Sequence, residues 1–338
     1  MQIAAQSPYP ARRSAVLADN MVVTSQPLAA QAGLAMLAQG GNAVDAALAT
    51  AIALTVLEPT GNGLGSDAFA ILWDGQELHG LNASGAAPAA WNAQRFAGRV
   101  EMPFRGWESV TVPGAVSAWV ALSKRFGALP FADLFVPAIR YAEDGFAVSP
   151  VIAALWARAA EQLGDQPGFA ETFLPDGRAP RAGERFRAPG HARTLRAIAQ
   201  THGRDFYEGE IAEAIAAFAK KHDAALSLAD MASHRPEWCG TISTAFDDAT
   251  LHEIPPNGQG IAALMGLGIL SHTPIREMAA DDPQALHLQI EAMKLALRDA
   301  EAYVADPAHM VDVTAQDMLD DGYLAARAAL IDPARAQD

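Results

Sequence analysis

A single cysteine, Cys239, stands among 338 residues, so the chain can form no internal disulfide and no cysteine cluster to hold a metal. Nothing cationic lies immediately beside it, and it reads as a buried spectator thiol. Basic residues are also scarce. Twenty-four Lys and Arg against 39 Asp and Glu give a formal net charge of −15, a surface that repels phosphate backbones and argues against nucleic acid as a partner. No apolar run approaches the ~18 residues that span a bilayer. The opening MQIAAQSPYPARRSAVLADN carries Arg12 and Arg13 without a following signal-length apolar run. A soluble cytoplasmic protein with no membrane contact is the expectation. The nine histidines form no HxxxH or HExxH pair, and no GxSxG elbow occurs, so neither a metal site nor a nucleophile–base pair is read from spacing. Gly61, Gly63 and Gly65 follow a helix and precede a strand, the reverse of the dinucleotide-binding order. They read as a tight turn where backbone passes close to backbone.

What is present suits a globular α+β chain: apolar residues make up 51% and charged residues 19%. MVVTS (21–25) is predicted as a short strand. Pro27 opens a helix that stops at Gly40-Gly41, a pair suited to a left-handed C-terminal cap. Asn42 with Asp45 three residues on is close to a capping box, and it starts VDAALATAIALTVLE, a helix apolar almost all round and therefore central. AFAILW and ELHGLNAS, joined at Asp74-Gly75, predict an antiparallel hairpin. Asn62 and Asp67 read as serving loop turns and strand ends. Helices are predicted over 112–127, 132–144, 150–163, 191–202 and 208–221, with 164–190 a surface excursion. ATLHEI (249–254) reads as a strand and IAALMGLGIL as an apolar helix. The stripe Leu286, Ile290, Met293, Leu297 and Val304 makes 284–305 an amphipathic helix with that stripe as core. The chain ends in a helical, Ala-rich tail. As a complete sandwich it is short of strands.

The run GGNAVDAALATAIALTVLEPTGNGLGSDAFAILWDG (40–75) resembles the opening of the gamma-glutamyltransferase superfamily. The resemblance continues through VTVPGAVSAWVALSKRFG (110–127), FVPAIRYAEDGFAV (135–148), FYEGEIAEAI (206–215), EIPPNGQGIAALMGLGIL (253–270) and HLQIEAMKLALRDAEAYVADP (287–307). Six blocks in family order are a specific signal, and they cover nearly the whole chain from about residue 20. The resemblance implies a large subunit, residues 1–338, of an N-terminal-nucleophile (Ntn) hydrolase, a four-layer αββα sandwich completed by strands of a companion small subunit. Core elements are expected at about 20–90 and 245–310, with a mainly helical section at about 110–240. Family members cut themselves into two subunits, and the new N-terminal Thr of the small one is the nucleophile. Its α-amine titrates near pH 8 and so has a neutral fraction able to take the hydroxyl proton. No catalytic residue is then expected in this chain, and no metal or organic cofactor is implied. The large subunit is expected to end near YLAARAALIDPARAQD, with Asp338 preferred as the natural cut, or a few residues from it, over an end unrelated to processing. One large and one small chain, or two of each, would make the functional unit.

Glutathione-directed members carry an Arg just after the hairpin that grips a glutamyl α-carboxylate. The matching position here is Ser84, in Asn82-Ala83-Ser84-Gly85-Ala86-Ala87-Pro88, and a hydroxyl offers no two-bond clamp. Loss of such a charge-assisted bond removes ~1.5–3 kcal/mol of recognition. Gly-Ser-Asp at 65–67 and PPNGQG at 255–260 resemble instead the branch of gamma-glutamyltransferase-like proteins and class IV cephalosporin acylases. Some of that branch carry an Arg where Ala86 sits. Ser84 and Asn82 are carried over as candidates to line the acyl pocket, and Arg105, in FRGWES, is the nearest basic candidate to meet an acidic acyl group. The implied reaction is cleavage of a gamma-glutamyl- or glutaryl-like amide, a small molecule, through an acyl-threonine. Two alternatives stay open: a transferase to amine or peptide acceptors, and an inactive or binding-only homologue.

Overall fold

A computed structural model describes residues 16–337. The amino-terminal stretch with Arg12 and Arg13, and Asp338 itself, lie outside the described residues. Among the described residues no helix is long and apolar enough to cross a membrane. The chain forms two compact units. One comprises residues up to Leu64, Asn92–Val110 and Trp119–Leu228. The other comprises Gly65–Trp91, Thr111–Ala118 and the chain from Ala229 onward. The two amino-terminal helices thus group with the helical middle, whereas the sequence reading set them with the hairpin.

The first unit is helical. Its centre is the pair Pro27–Ala38 and Ala43–Leu57. Gln26 caps the first helix through Leu28 N–H at 2.7 Å, and Gly40 ends it in the left-handed region at φ 87°. Among the described residues MVVTS pairs with no strand and runs into the Gln26 cap. The capping box of the second helix is complete. Asn42 Oδ1 accepts from the N–H groups of Val44 and Asp45, and the Asp45 carboxylate accepts from Asn42 N–H at 2.9 Å and Ala128 N–H at 3.0 Å. Ile52, Ala53 and Leu57 are wholly buried. At ~1.5–3 kcal/mol for each large side chain, that burial dominates the helix's stability. Gly33 admits the close approach of the pair, since a Cβ there would overlap Thr50 Oγ1.

The 164–190 excursion is partly ordered. Phe169–Phe173 forms a short helix, and Arg185–Phe186 pairs antiparallel with Phe146–Ala147.

The second unit holds the sheets. The strands Ala68–Trp73 and Leu78–Ala83 form the predicted hairpin, and the short strand Glu237–Trp238 joins its far side, leaving Ala68–Trp73 at an edge. Ala249–Glu253 pairs with Ile242–Phe246, a partner the sequence reading missed because the turn between them carries no glycine. Asp247 supplies its left-handed residue at φ 56°. The helix Ile261–Ser271 packs on this second hairpin and on Pro283–Tyr303, with Ile261, Met265, Ile269, Leu288, Leu295 and Leu324 in one buried cluster.

The core stripe of the long helix is not the expected one. Leu286, Ile290 and Leu297 remain 49%, 58% and 50% exposed, while Ala285, Leu288, Ala292, Leu295, Ala296 and Ala300 are buried. Small side chains let the helices approach closely, and Gly266 and Gly268 of the partner leave room for Met293 and Leu324. Bulk alone therefore misidentified the face. Of the expected stripe, only Val304 and Met293 are partly buried. A third, polar face holds the tail. Glu291, buried, accepts from Gln337 N–H at 2.9 Å and from Lys294 Nζ at 3.0 Å, and Gln284 donates to Pro333 O at 3.0 Å.

Candidate active site

The end of the strand Leu78–Ala83 is fixed by backbone lying against backbone. Val112 N–H donates to Ala86 O at 3.0 Å, and the N–H groups of Gly114 and Ala115 donate to Ser66 O at 3.1 and 2.8 Å. A Cβ on Gly85 would overlap Val112 O, and one on Gly114 would overlap Ala83 O. Gly61 and Gly65, by contrast, are uncrowded, so the expected close pass occurs here and not in the 60–67 loop. Gly61 and Asn62 close a turn there through their N–H groups to Glu58 O. Asp67 accepts from Gly85 N–H, while desolvation raises its carboxyl above the usual range; it braces the strand end from an otherwise exposed position.

On this frame Asn82 and Ser84 come together, and a third residue joins them. Asn82 Oδ1 accepts from Ser84 N–H at 2.9 Å and Ser84 Oγ–H at 2.8 Å, an Asx turn. Asn82 Nδ2 donates to Asn257 Oδ1 at 2.8 Å, and Asn257 Nδ2 donates to Ser84 Oγ at 3.0 Å. Asn257 belongs to PPNGQG, and the pattern of that motif alone did not mark it as a site residue. Arg105 is elsewhere: it sits in the helical unit, exposed, donating to Gln162 Oε1 at 2.9 Å, with its guanidinium 5.8 Å from the Phe104 ring centroid. That is the ordinary setting of a surface arginine, and it supplies no evidence of a substrate role.

Residues directly opposite each other in an antiparallel pair share a sheet face. Phe69 pairs with Asn82, Ile71 with Gly80 and Trp73 with Leu78. The exposed row Phe69, Ile71 and Trp73 therefore lines the same face as Asn82. On its other side Asn82 pairs with Glu237.

Other chemistry-bearing groups are spent locally. Thr55 Oγ1 lies 2.9 Å from His191 Nε2 and Ser117 Oγ lies 2.8 Å from His234 Nε2. Each hydroxyl donates to a helical carbonyl, of Ile52 and Gly114 respectively, so each imidazole faces it as an N–H donor and neither pair is a nucleophile with its base. Burial pushes His191 down to about 4 and lowers His234 as well. Asp74, Glu77 and His79 cluster closely enough to hold an ion. Their donors already lock the hairpin turn: Asp74 accepts from Gln76 and Glu77 N–H and meets His79 Nε2 at 2.7 Å, which holds its carboxyl well below the usual range. Cys239 is only partly buried, contrary to expectation, but desolvation raises its pKa and keeps the thiol protonated.

The chain belongs to the gamma-glutamyltranspeptidase family, which matches it over residues 29–338. Its fold is the α+β Ntn-hydrolase fold, matched in the amino-terminal portion of the full enzymes. Among relatives, it is 38% identical to the oxamate amidohydrolase proenzyme of Klebsiella pneumoniae, over 96% of this chain and 62% of that protein. It is 33% identical to the acylase ACY 1 proenzyme of a Pseudomonas species, over 94% and 59%. Among solved structures, the cephalosporin acylase from Bacillus halodurans superposes with a TM-score of 0.89 at 47% identity, over 98% of this chain and 63% of that one. A gamma-glutamyltranspeptidase chain from Pseudomonas nitroreducens gives 0.88 at 27%, over 96% and 97%. The chain thus spans about three-fifths of the length of the curated relatives it matches.

Proposed function

We propose that the chain is the large subunit of a self-processed amidohydrolase whose nucleophile, an N-terminal Thr, lies on a companion small subunit from the same precursor. The observation that carries this is the sheet of the second unit. Its edge strand, Ala68–Trp73, has an unpaired side and a bare row of Phe69, Ile71 and Trp73 on the face that bears Asn82. An edge and an apolar face open together suit an added strand and a second sheet, the αββα arrangement. That two curated relatives are named proenzymes, both longer than this chain, supports the same reading.

In the reaction, the Thr Oγ adds to the amide carbonyl as its α-amine takes the hydroxyl proton. Backbone N–H groups of the partner hold the oxyanion. The amine leaves with the proton returned to it, and water hydrolyses the ester to the acid and free Thr. Asn82 and Ser84 line the acyl pocket. With Ser84 at the position of the family's arginine, efficient use of glutathione is not expected; a gamma-glutamyl- or glutaryl-like amide is. Expression of the full precursor tests this. Intact mass is expected to give two species, the smaller beginning with Thr. The purified complex is expected to release aniline from an acyl anilide at a rate that added glycylglycine leaves unchanged. A single folded species without activity would overturn the reading in favour of a binding-only homologue; acceleration by glycylglycine would replace hydrolysis with transfer.

A further inference from the structure

The hydrogen bonds among Asn82, Ser84 and Asn257 have one consistent direction, and it is set by the backbone. A main-chain N–H can only donate, so the atom of Asn82 that meets Ser84 N–H at 2.9 Å must be its oxygen. The nitrogen of Asn82 then faces Asn257, which must answer with its own oxygen at 2.8 Å. That turns the Asn257 nitrogen toward Ser84 Oγ, at 3.0 Å. The Ser84 proton is spent on an acceptor, with Asn82 Oδ1 at 2.8 Å and Asn257 Oδ1 at 3.2 Å. Each carboxamide nitrogen carries two hydrogens and spends one inside the cluster. What remains is one N–H on Asn82 and one on Asn257. Asn257 Oδ1 and Ser84 Oγ each keep a lone pair, so the cluster presents two unspent donors beside two acceptors.

Its surroundings add shape and charge. The Phe69 ring, in register with Asn82, comes within 3.9 Å of the space a side chain at Gly258 would take, so an aromatic ring lies next to the residue that follows Asn257. Among the described residues no arginine or lysine is bonded to the three, while Glu237 is in register with Asn82 on the same face.

Resting on the reading of this strand end as the acyl pocket, we infer that Asn82 and Asn257 form a neutral two-donor site that recognises an acceptor oxygen at the far end of a short acyl chain, with Asn257 as the specificity-determining residue. The shared chemistry is a terminal carbonyl oxygen, in a carboxamide or a carboxylate. With Glu237 opposite and no cation on the triad, the carboxamide binds at least as well as the carboxylate. The methylenes lie on Phe69.

The test uses the processed enzyme and three anilides of matched length, ending in carboxamide, carboxylate or methyl. The wild type is expected to favour both oxygen-terminated acyl groups over the methyl one by about tenfold or more in kcat/KM, the loss a missing donor bond brings. Asn257→Asp keeps the shape and replaces the donor by an acceptor. It is expected to lower the carboxylate substrate at least tenfold and to change the other two less than about threefold, since a carboxamide can turn its NH2 to the new carboxylate. Asn82→Asp, which keeps the acceptor for Ser84 N–H, is expected to repeat that ranking. Equal losses on all three substrates, or none, would overturn the inference and leave the triad a loop brace. If the wild type cleaves no anilide, the proposed reaction fails and the site is read by calorimetry with glutarate. Binding weakened about tenfold in Asn257→Asp sustains the site, and absent or unchanged binding refutes it.

Discussion

Two helices that both carry large aliphatic side chains meet opposite fates. Ala43–Leu57, in the helical unit, buries Leu48, Ile52, Val56 and Leu57 and leaves only the small Ala43 and Ala47 exposed. Pro283–Tyr303, in the sheet unit, buries an alanine-rich face and leaves Leu286, Ile290 and Leu297 bare. The first helix is satisfied within this polypeptide; the second is only partly so. The hairpin of its unit repeats the pattern, with Phe69, Ile71 and Trp73 bare on one face. A monomer rarely leaves apolar rows of this kind uncovered. Apolarity in a sequence thus states that a surface must be buried, and not by which chain.

The comparison breaks first at Gly85. The sheet unit is open at its faces but tight at its strand end, so Gly85→Ala, which forces a Cβ into Val112 O, is expected to destabilise by more than about 3 kcal/mol and to lower activity with it. Chemical denaturation followed by circular dichroism checks this; a loss under about 1 kcal/mol would mean that the strand end relaxes freely. Paired isoleucines come next. Ile52→Ala is expected to lower stability by about 2–4 kcal/mol, and Ile290→Ala by less than about 0.5 kcal/mol in the isolated chain. If the exposed stripe receives the companion subunit, Ile290→Glu spares the melt of the lone chain yet weakens co-purification. Equal destabilisation by the two alanine variants would erase the contrast.

His191, bonded to Thr55 of the helix Ala43–Leu57, gives a pH signature of the same burial. Its folded pKa of about 4 lies below the unfolded value of 6.5, so the unfolded state takes up the proton first as pH falls. Stability from this group is full above about 6.5 and declines as pH drops toward about 4, by on the order of 3 kcal/mol at most. Thermal melts of His191→Gln are expected to be flatter than wild type across that window, and parallel curves would contradict it. The smallest effect belongs to the exposed pair Arg178–Glu184. There the carboxyl is held at about 2, chiefly by the guanidinium, so its contribution is present above about 4.5 and fades as pH falls through about 2. Glu184→Gln is expected to leave the melt at pH 7 nearly unchanged; a large drop there would show the pair matters more than its exposure allows.

Local chemistry made much of this legible in advance. Asn42 and Asp45 announced a capping box and formed one, Asp74-Gly75 announced a hairpin turn, and Gly40 a left-handed helix end. Each is decided within a few residues by hydrogen-bonding groups whose partners are near in the chain. The failures were of another kind. MVVTS had strand composition but found no partner strand among the described residues, and Ile242–Phe246 was missed because its turn uses Asp247 where glycine was looked for.

By itself, then, the sequence determined the helices, their caps, the first hairpin and, through its ordered blocks, the family. Tertiary structure alone decided that Ala292 and Ala296 outrank Ile290 and Leu297 at the core, because small residues permit the closer helix approach. It alone brought Asn257 to Ser84 across 173 residues, and a backbone N–H that can only donate then fixed which way that cluster points.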